Sequence, residues 1–191
     1  MTASFTSLPA DLPVPTDDGA ADHLPGAIIP HLVMDVTDGT RIDLADAARG
    51  RWVLFVYPKT GAPGQEMPSG WDEIPGARGC TTEACGFRDN LSALHATGVS
   101  AVYGLSAQDT HYQSEAVARL HLPYPLVSDT GFLLRDAMGF PVFEAGGMTL
   151  YKRMTLVVAG DRIEHVFYPV FPPDTHAAQV VDWLLRHPAA G

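Results

Sequence analysis

Nine glycines and prolines fall within the 22 residues from Pro58 to Gly79: Pro58, Gly61, Pro63, Gly64, Pro68, Gly70, Pro75, Gly76 and Gly79. No helix and no central strand tolerates that density of breakers, so the stretch is a long loop. It starts where Arg51–Tyr57 (RWVLFVY) ends, a continuous apolar run that suits a strand buried on both faces. It stops at a cysteine, Cys80. Loops longer than about 15 residues are uncommon in compact domains and are often functional. The chain therefore has to place a thiol at the far end of such a loop.

The segments around the loop alternate. His31–Val36 is a short apolar stretch closed by Asp38-Gly39. After the loop, Ala84, Phe87, Leu91 and Leu94 recur at spacings of three and four and predict one helix, with Thr81 or Thr82 as its cap and Gly98 as its stop. Val99–Leu105 reads as a second buried strand, Gln113–Leu120 as a helix, Tyr124–Val127 as a strand and Phe132–Met138 as a short helix. Met154–Val158 and Ile163–Tyr168 are strands joined by the hairpin signal Gly160-Asp161. Asp174–His187 closes the chain as a helix with Val180, Val181, Leu184 and Leu185 inward. Strand–helix alternation followed by a hairpin and helix predicts an α/β, thioredoxin-like fold: a mixed central sheet with helices on both faces. The 191 residues fit one domain.

Charge narrows the function. The net charge is −10, and −6 of it lies in residues 1–40, which carry Asp11, Asp17, Asp18, Asp22, Asp35 and Asp38 and no Lys or Arg. Five prolines share that region, so residues 1–25 read as an extended or partly disordered arm, with the domain running from 26 to 191. An acidic chain is a poor partner for nucleic acid or an anionic membrane. No apolar run approaches the ~18 residues of a membrane span. The first basic residue is Arg41, which argues against a secretory leader and for a cytoplasmic protein. The eight histidines show no ligand spacing, and no phosphate-binding glycine motif is present, so no metal or other cofactor is expected.

The two cysteines, Cys80 and Cys85, are too few for a disulfide scaffold or a four-Cys zinc site. Cys80 stands where loop becomes helix, and a helix N-terminus lowers a thiol pKa. Arg78 and Arg88 are near in sequence and are expected to add to this. The effect matters: a thiol of pKa ~8.5 is about 3% thiolate at pH 7, one of pKa ~6 about 90%. The plain alternative for Cys80 is a small buried hydrophobe. In an intact helix the two Cα atoms lie roughly 8.6 Å apart and about 140° around the axis, beyond the ~7 Å limit for a disulfide. Either the cysteines never pair, or the first turn must unwind.

The decapeptide CTTEACGFRD (Cys80–Asp89) resembles the active-site helix of the peroxiredoxin Q family, also called bacterioferritin comigratory proteins. VLFVYPK (Val53–Lys59), Lys152–Leu156, Ile163–Phe167 and His176–Leu184 resemble further segments of that family, so that the likeness spans roughly residues 25–187. It implies a thiol peroxidase reducing hydrogen peroxide and organic hydroperoxides. Cys80 would become a sulfenic acid and Cys85 would resolve it as an intramolecular disulfide. Arg153 would polarise the peroxide, and Pro58 would shield the thiol. A thioredoxin-like donor would supply electrons to a monomer.

The chain departs from the family pattern at one place. Tyr57-Pro58-Lys59-Thr60-Gly61-Ala62-Pro63-Gly64 follows it, but Gln65 stands where the cysteine is expected, and fifteen further residues, Gln65–Gly79, precede Cys80. Ala62 takes the motif threonine's place, leaving Thr60 as the candidate hydroxyl if the loop folds back. Trp71 in this insertion reads as a lid, an interaction surface or a plain loop anchor. Three alternatives stand beside the two-cysteine peroxidase. One is a single-cysteine peroxidase resolved by an external thiol. Another is a thioredoxin-like copper-binding protein, which usually has a three-residue Cys spacing. The third is a non-catalytic interaction protein using the insertion.

Overall fold

The structure is a computed structural model that describes residues 8–9 and 11–189. In chain order its elements are β1 (Val33–Val36), β2 (Arg41–Asp43), β3 (Arg51–Val56), α1 (Cys80–Asp89), α2 (Leu91–Ala96), β4 (Val99–Ser106), α3 (Thr110–Leu120), β5 (Leu126–Ser128), α4 (Leu133–Met138), β6 (Val142–Ala145), β7 (Met148–Tyr151), β8 (Met154–Ala159), β9 (Arg162–Phe167) and α5 (His176–Arg186). Seven strands form one sheet in the order β2-β1-β5-β4-β3-β8-β9, and β6 pairs with β7 alone. The β3–β4 and β4–β5 pairs are parallel, while β8 runs antiparallel to β3 and β9 to β8. The mixed sheet expected from the alternation is present.

β3 is central, and every residue of it is buried. Its pleat divides the core. Val53 and Phe55 face a cluster with α1, α2, α3 and α5, while Trp52, Leu54 and Val56 face α4 and the residues before β1. Phe55 stacks on Phe87 of α1 at 4.4 Å, a contact worth about 0.5–1.5 kcal/mol beyond area burial. Gly104 of β4 makes room for this ring: a Cβ there would meet Phe55 at 2.5 Å and Leu126 at 2.6 Å. The stack fixes α1 against the sheet just beyond Cys80.

Several expectations need correcting. The single helix after the loop is two, because Asn90 leaves helical geometry (φ −100°, ψ 5°) and its Nδ2 donates to Gly86 O at 2.9 Å. Neither Thr81 nor Thr82 caps α1. Gly79 does so in the left-handed region, with φ 109°, and Thr82 Oγ1 donates back to Gly79 O. β2 and the β6–β7 hairpin were not expected, although Gly146 and Gly147, both at positive φ, carry a tight-turn signature. The arm, where described, is neither loose nor separate from the domain. Ala21 and Leu24 are buried in the second cluster, and Asp18 bonds Lys152 Nζ at 2.5 Å and Tyr168 OH at 2.7 Å. The arm's first seven residues and Ala10 lie outside the described residues.

Candidate active site

Sheet pairing assembles the site. Val56, the last residue of β3, pairs with Met154, the first of β8, so Arg153 emerges beside the point where the chain leaves β3 for the loop. Cys80 opens α1 at the loop's other end. Arg153 Nη2 donates to Cys80 Sγ at 3.1 Å. The same guanidinium holds the end of the loop: Nε donates to Gly76 O at 3.2 Å, and Nη2 to Ala77 O at 3.1 Å and Arg78 O at 3.2 Å. The Cys80 thiol in turn points its hydrogen to Ala77 O at 3.6 Å. Arg153 and Cys80 are both 3% exposed.

Burial dominates the electrostatics of Cys80 and pushes its thiol up from the ordinary value. Arg153 and the Lys59 backbone N–H work the other way. Of the three arginines expected to act on Cys80, Arg153 lowers its pKa, while Arg78 and Arg88 are not among the causes of its shift. Arg78 pairs with Asp72 at 2.9 Å, and Arg88 with Asp89 and Leu120 O. Arg88 instead lowers Cys85, whose pKa half-burial raises.

One participant was missed at the sequence level. Glu83 Oε2 accepts from Arg153 Nη1 inside the fold, and Glu83 Oε1 has no hydrogen-bond partner. Burial pushes the Glu83 carboxyl up to about 7 against the pull of Arg153. In CTTEAC it reads as an ordinary acid in a helix's first turn. Its spacing of three from Cys80 was the available signal, since residues i and i+3 share a helix face. His176 is buried nearby, hydrogen-bonded to Thr155 Oγ1 at 2.9 Å, and desolvation lowers it to about 4.

The other expected residues distribute as follows. Pro58 is buried directly before Lys59, whose N–H favours the Cys80 anion. Thr60 is buried, but its hydroxyl donates to Gln108 Oε1 at 3.1 Å, its N–H bonds the same oxygen, and its carbonyl accepts from Tyr112 OH. It braces the start of the loop and makes no bond to the sulfur. Cys85 is half-buried and unbridged in a wound α1. Trp71 is buried against Ala77, Ala145 and Leu150, with Met67, Ile74, Phe143 and Met148 around them. The loop is thus pinned onto the β6–β7 hairpin by a small core of its own.

Among the described residues, Cys80, Cys85 and a histidine do not form a group of close potential ligands. Among the described residues the one group of three close potential ligands is His31, Asp43 and Asp46, brought together by β1–β2 pairing rather than by sequence spacing. There Asp43 accepts from His31 and from the Leu32 and Ala45 N–H groups. Among the described residues no helix is long and apolar enough to cross a membrane.

Known proteins resemble this arrangement. The profile of the Redoxin family matches residues 24–182. Peroxiredoxin Bcp of Escherichia coli (strain K12) is 29% identical over 166 residues, covering 85% of this chain and 96% of its own. Chloroplastic peroxiredoxin Q of Gentiana triflora is 28% identical over 184 residues, covering 93% and 76%. Among solved structures, peroxidoxin BcpB of Mycobacterium tuberculosis superimposes with a TM-score of 0.68 at 24% identity, covering 87% of this chain and 99% of its own. A bacterioferritin comigratory protein of Xanthomonas campestris, described for alkyl peroxide reduction, does so with a TM-score of 0.63 at 22% identity, covering 94% and 100%.

Proposed function

The chain belongs to the redoxin family and is a thiol-dependent peroxidase, in which we propose that Cys80 is the thiol that attacks and Cys85 the thiol that resolves. The observation that supports these roles is the buried Arg153 guanidinium 3.1 Å from Cys80 Sγ, at a helix start. A permanently charged donor favours the thiolate and the negative charge that develops on the leaving oxygen.

The Cys80 thiolate attacks the terminal peroxide oxygen. An S–O bond forms, the O–O bond breaks, and the departing oxygen takes a proton to leave as alcohol or water. Sulfur loses two electrons and becomes a sulfenic acid. The Cys85 thiolate then attacks that sulfur, forming the disulfide and releasing water. A dithiol donor of the thioredoxin type returns two electrons by exchange. Hydrogen peroxide and organic hydroperoxides are the substrate class, and a cytoplasmic monomer fits the scheme. The wound α1 favours one second reading: Cys85 stays roughly 8.6 Å away and an external thiol resolves the sulfenic acid.

Peroxide consumption with thioredoxin as donor tests the roles. Cys80→Ser is expected to abolish turnover, and Cys85→Ser to leave one oxidation event per chain. Full activity in Cys80→Ser would overturn the mechanism. After one equivalent of peroxide, mass spectrometry separates the two resolving routes: a loss of two hydrogens marks the disulfide, a gain of one oxygen the unresolved sulfenic acid.

A further inference from the structure

The pocket that Cys80 helps to line is very small and partly open to the outside. It is bounded by Lys59, Gly61, Met67, Trp71, Arg78 and Gly79, and the room for a molecule's centre amounts to about 10 Å³. That is enough for about one water-sized guest. A larger cavity of about 320 Å³ is lined by Arg153 together with Pro15, Ile74, Phe143 and Val170, but Cys80 does not line it.

The outer wall of the small cavity is built, not incidental. Met67 and Trp71 line it and also belong to the apolar cluster on the β6–β7 hairpin, with the Trp71 and Phe143 rings 6.3 Å apart. Gly146 in the hairpin turn lets Pro68 of the loop close in, since a Cβ there would meet Pro68 at 2.9 Å. Asp72 pairs with Arg78 and closes the loop on itself. Moving Trp71 aside would expose a buried aromatic residue to water, which opposes the movement.

Reaction geometry makes that wall selective. Attack on a terminal peroxide oxygen is in line, so the leaving oxygen and whatever it carries point away from sulfur. In hydrogen peroxide that group is a hydrogen. In an alkyl or aryl hydroperoxide it is a carbon substituent, for which a pocket this small, with Met67 and Trp71 the bulky apolar side chains of its lining, has no room. We infer that hydrogen peroxide is the preferred substrate of this chain, and that Met67 and Trp71 set the preference by walling off bulkier hydroperoxides. The inference rests on Cys80 being the attacking thiol.

The test compares second-order rate constants for Cys80 oxidation by hydrogen peroxide and by cumene hydroperoxide, from quenched-flow samples read by mass spectrometry. The wild type is expected to favour hydrogen peroxide by about tenfold or more, the size of an overpacking penalty expressed as a rate. Trp71→Ala and Met67→Ala are each expected to narrow that ratio severalfold. Met67 is only half-buried, so its variant keeps the test available if Trp71→Ala does not fold. Equal or faster reaction of the wild type with cumene hydroperoxide, or an unchanged ratio in folded Met67→Ala, would overturn the inference while leaving the peroxidase intact. Failure of both peroxides to oxidise Cys80 would instead remove the peroxidase roles themselves, and the size selection with them.

Discussion

Arg153 is one cation facing two buried acids, Cys80 and Glu83. The negative charge of Glu83 raises the Cys80 pKa and also draws on the guanidinium that lowers it. Both effects have the same sign, so deleting the carboxylate favours the thiolate. In Glu83→Gln the pH profile of Cys80 oxidation by hydrogen peroxide should move to lower pH. A profile that stays in place or moves up would show Glu83 acting only to orient Arg153. The sequence discloses these residues unequally. Cys80 and Cys85 stand out by their spacing and by the breakers ahead of them. Arg153 sits 73 positions beyond Cys80, and only the β3–β8 pairing, or a family likeness, brings it in. Thr60 was plausible as a hydroxyl donor to the site, but Gln108, a loop residue not singled out from the sequence, accepts its hydrogen bond.

At the scale of elements, if Cys85 resolves Cys80, α1 has to be stable enough to position a thiolate and weak enough to open. Gly86 contributes to that weakness. It lies in mid-helix, and an added Cβ would meet only Asp174 O at 3.4 Å and Ala177 Cβ at 3.7 Å, so alanine fits without a clash. Gly86→Ala should stabilise the wound helix by about 0.5–1 kcal/mol. If the Cys80–Cys85 disulfide forms from an unwound state, its formation should slow by about two- to fivefold. A time course of disulfide appearance by mass spectrometry after one equivalent of peroxide checks this, and an unchanged rate would mean that unwinding does not limit resolution. Element types were legible where burial imposes a pattern, the unbroken apolar run of β3 and the apolar stripe of α5, although Leu185, expected to face inward, is exposed. The β6–β7 hairpin was not, because its strands divide between the loop's small cluster and the main core, where Tyr151 lies, and carry no clean alternation.

For the whole molecule, composition misled about the N-terminal region. Prolines and aspartates signal a loose arm, yet two small apolar residues and one aspartate fasten its described part to the body. Leu24 is fully buried, so Leu24→Ala should cost about 2–5 kcal/mol in urea unfolding, as for a core leucine. A loss below about 0.5 kcal/mol would restore the arm as an appendage. The net charge of −10 likewise says nothing of the candidate site, which is organised around the buried Arg153. That cation also limits how the loop can vary. Arg153 grips three consecutive carbonyls, at Gly76, Ala77 and Arg78, directly before Cys80. A residue inserted or deleted there would slide the carbonyls off the guanidinium and carry the sulfur with them. Upstream, Arg119 Nη2 donates to Gly61 O at 2.8 Å and Asp72 pairs with Arg78, but among the described residues no guanidinium spans consecutive carbonyls between Ala62 and Pro75, and length can change if Met67, Pro68, Trp71 and Asp72 keep their contacts. Tolerance to insertion and deletion should therefore end abruptly at Gly76, making the last four residues before the cysteine a fixed ruler within an otherwise adjustable loop.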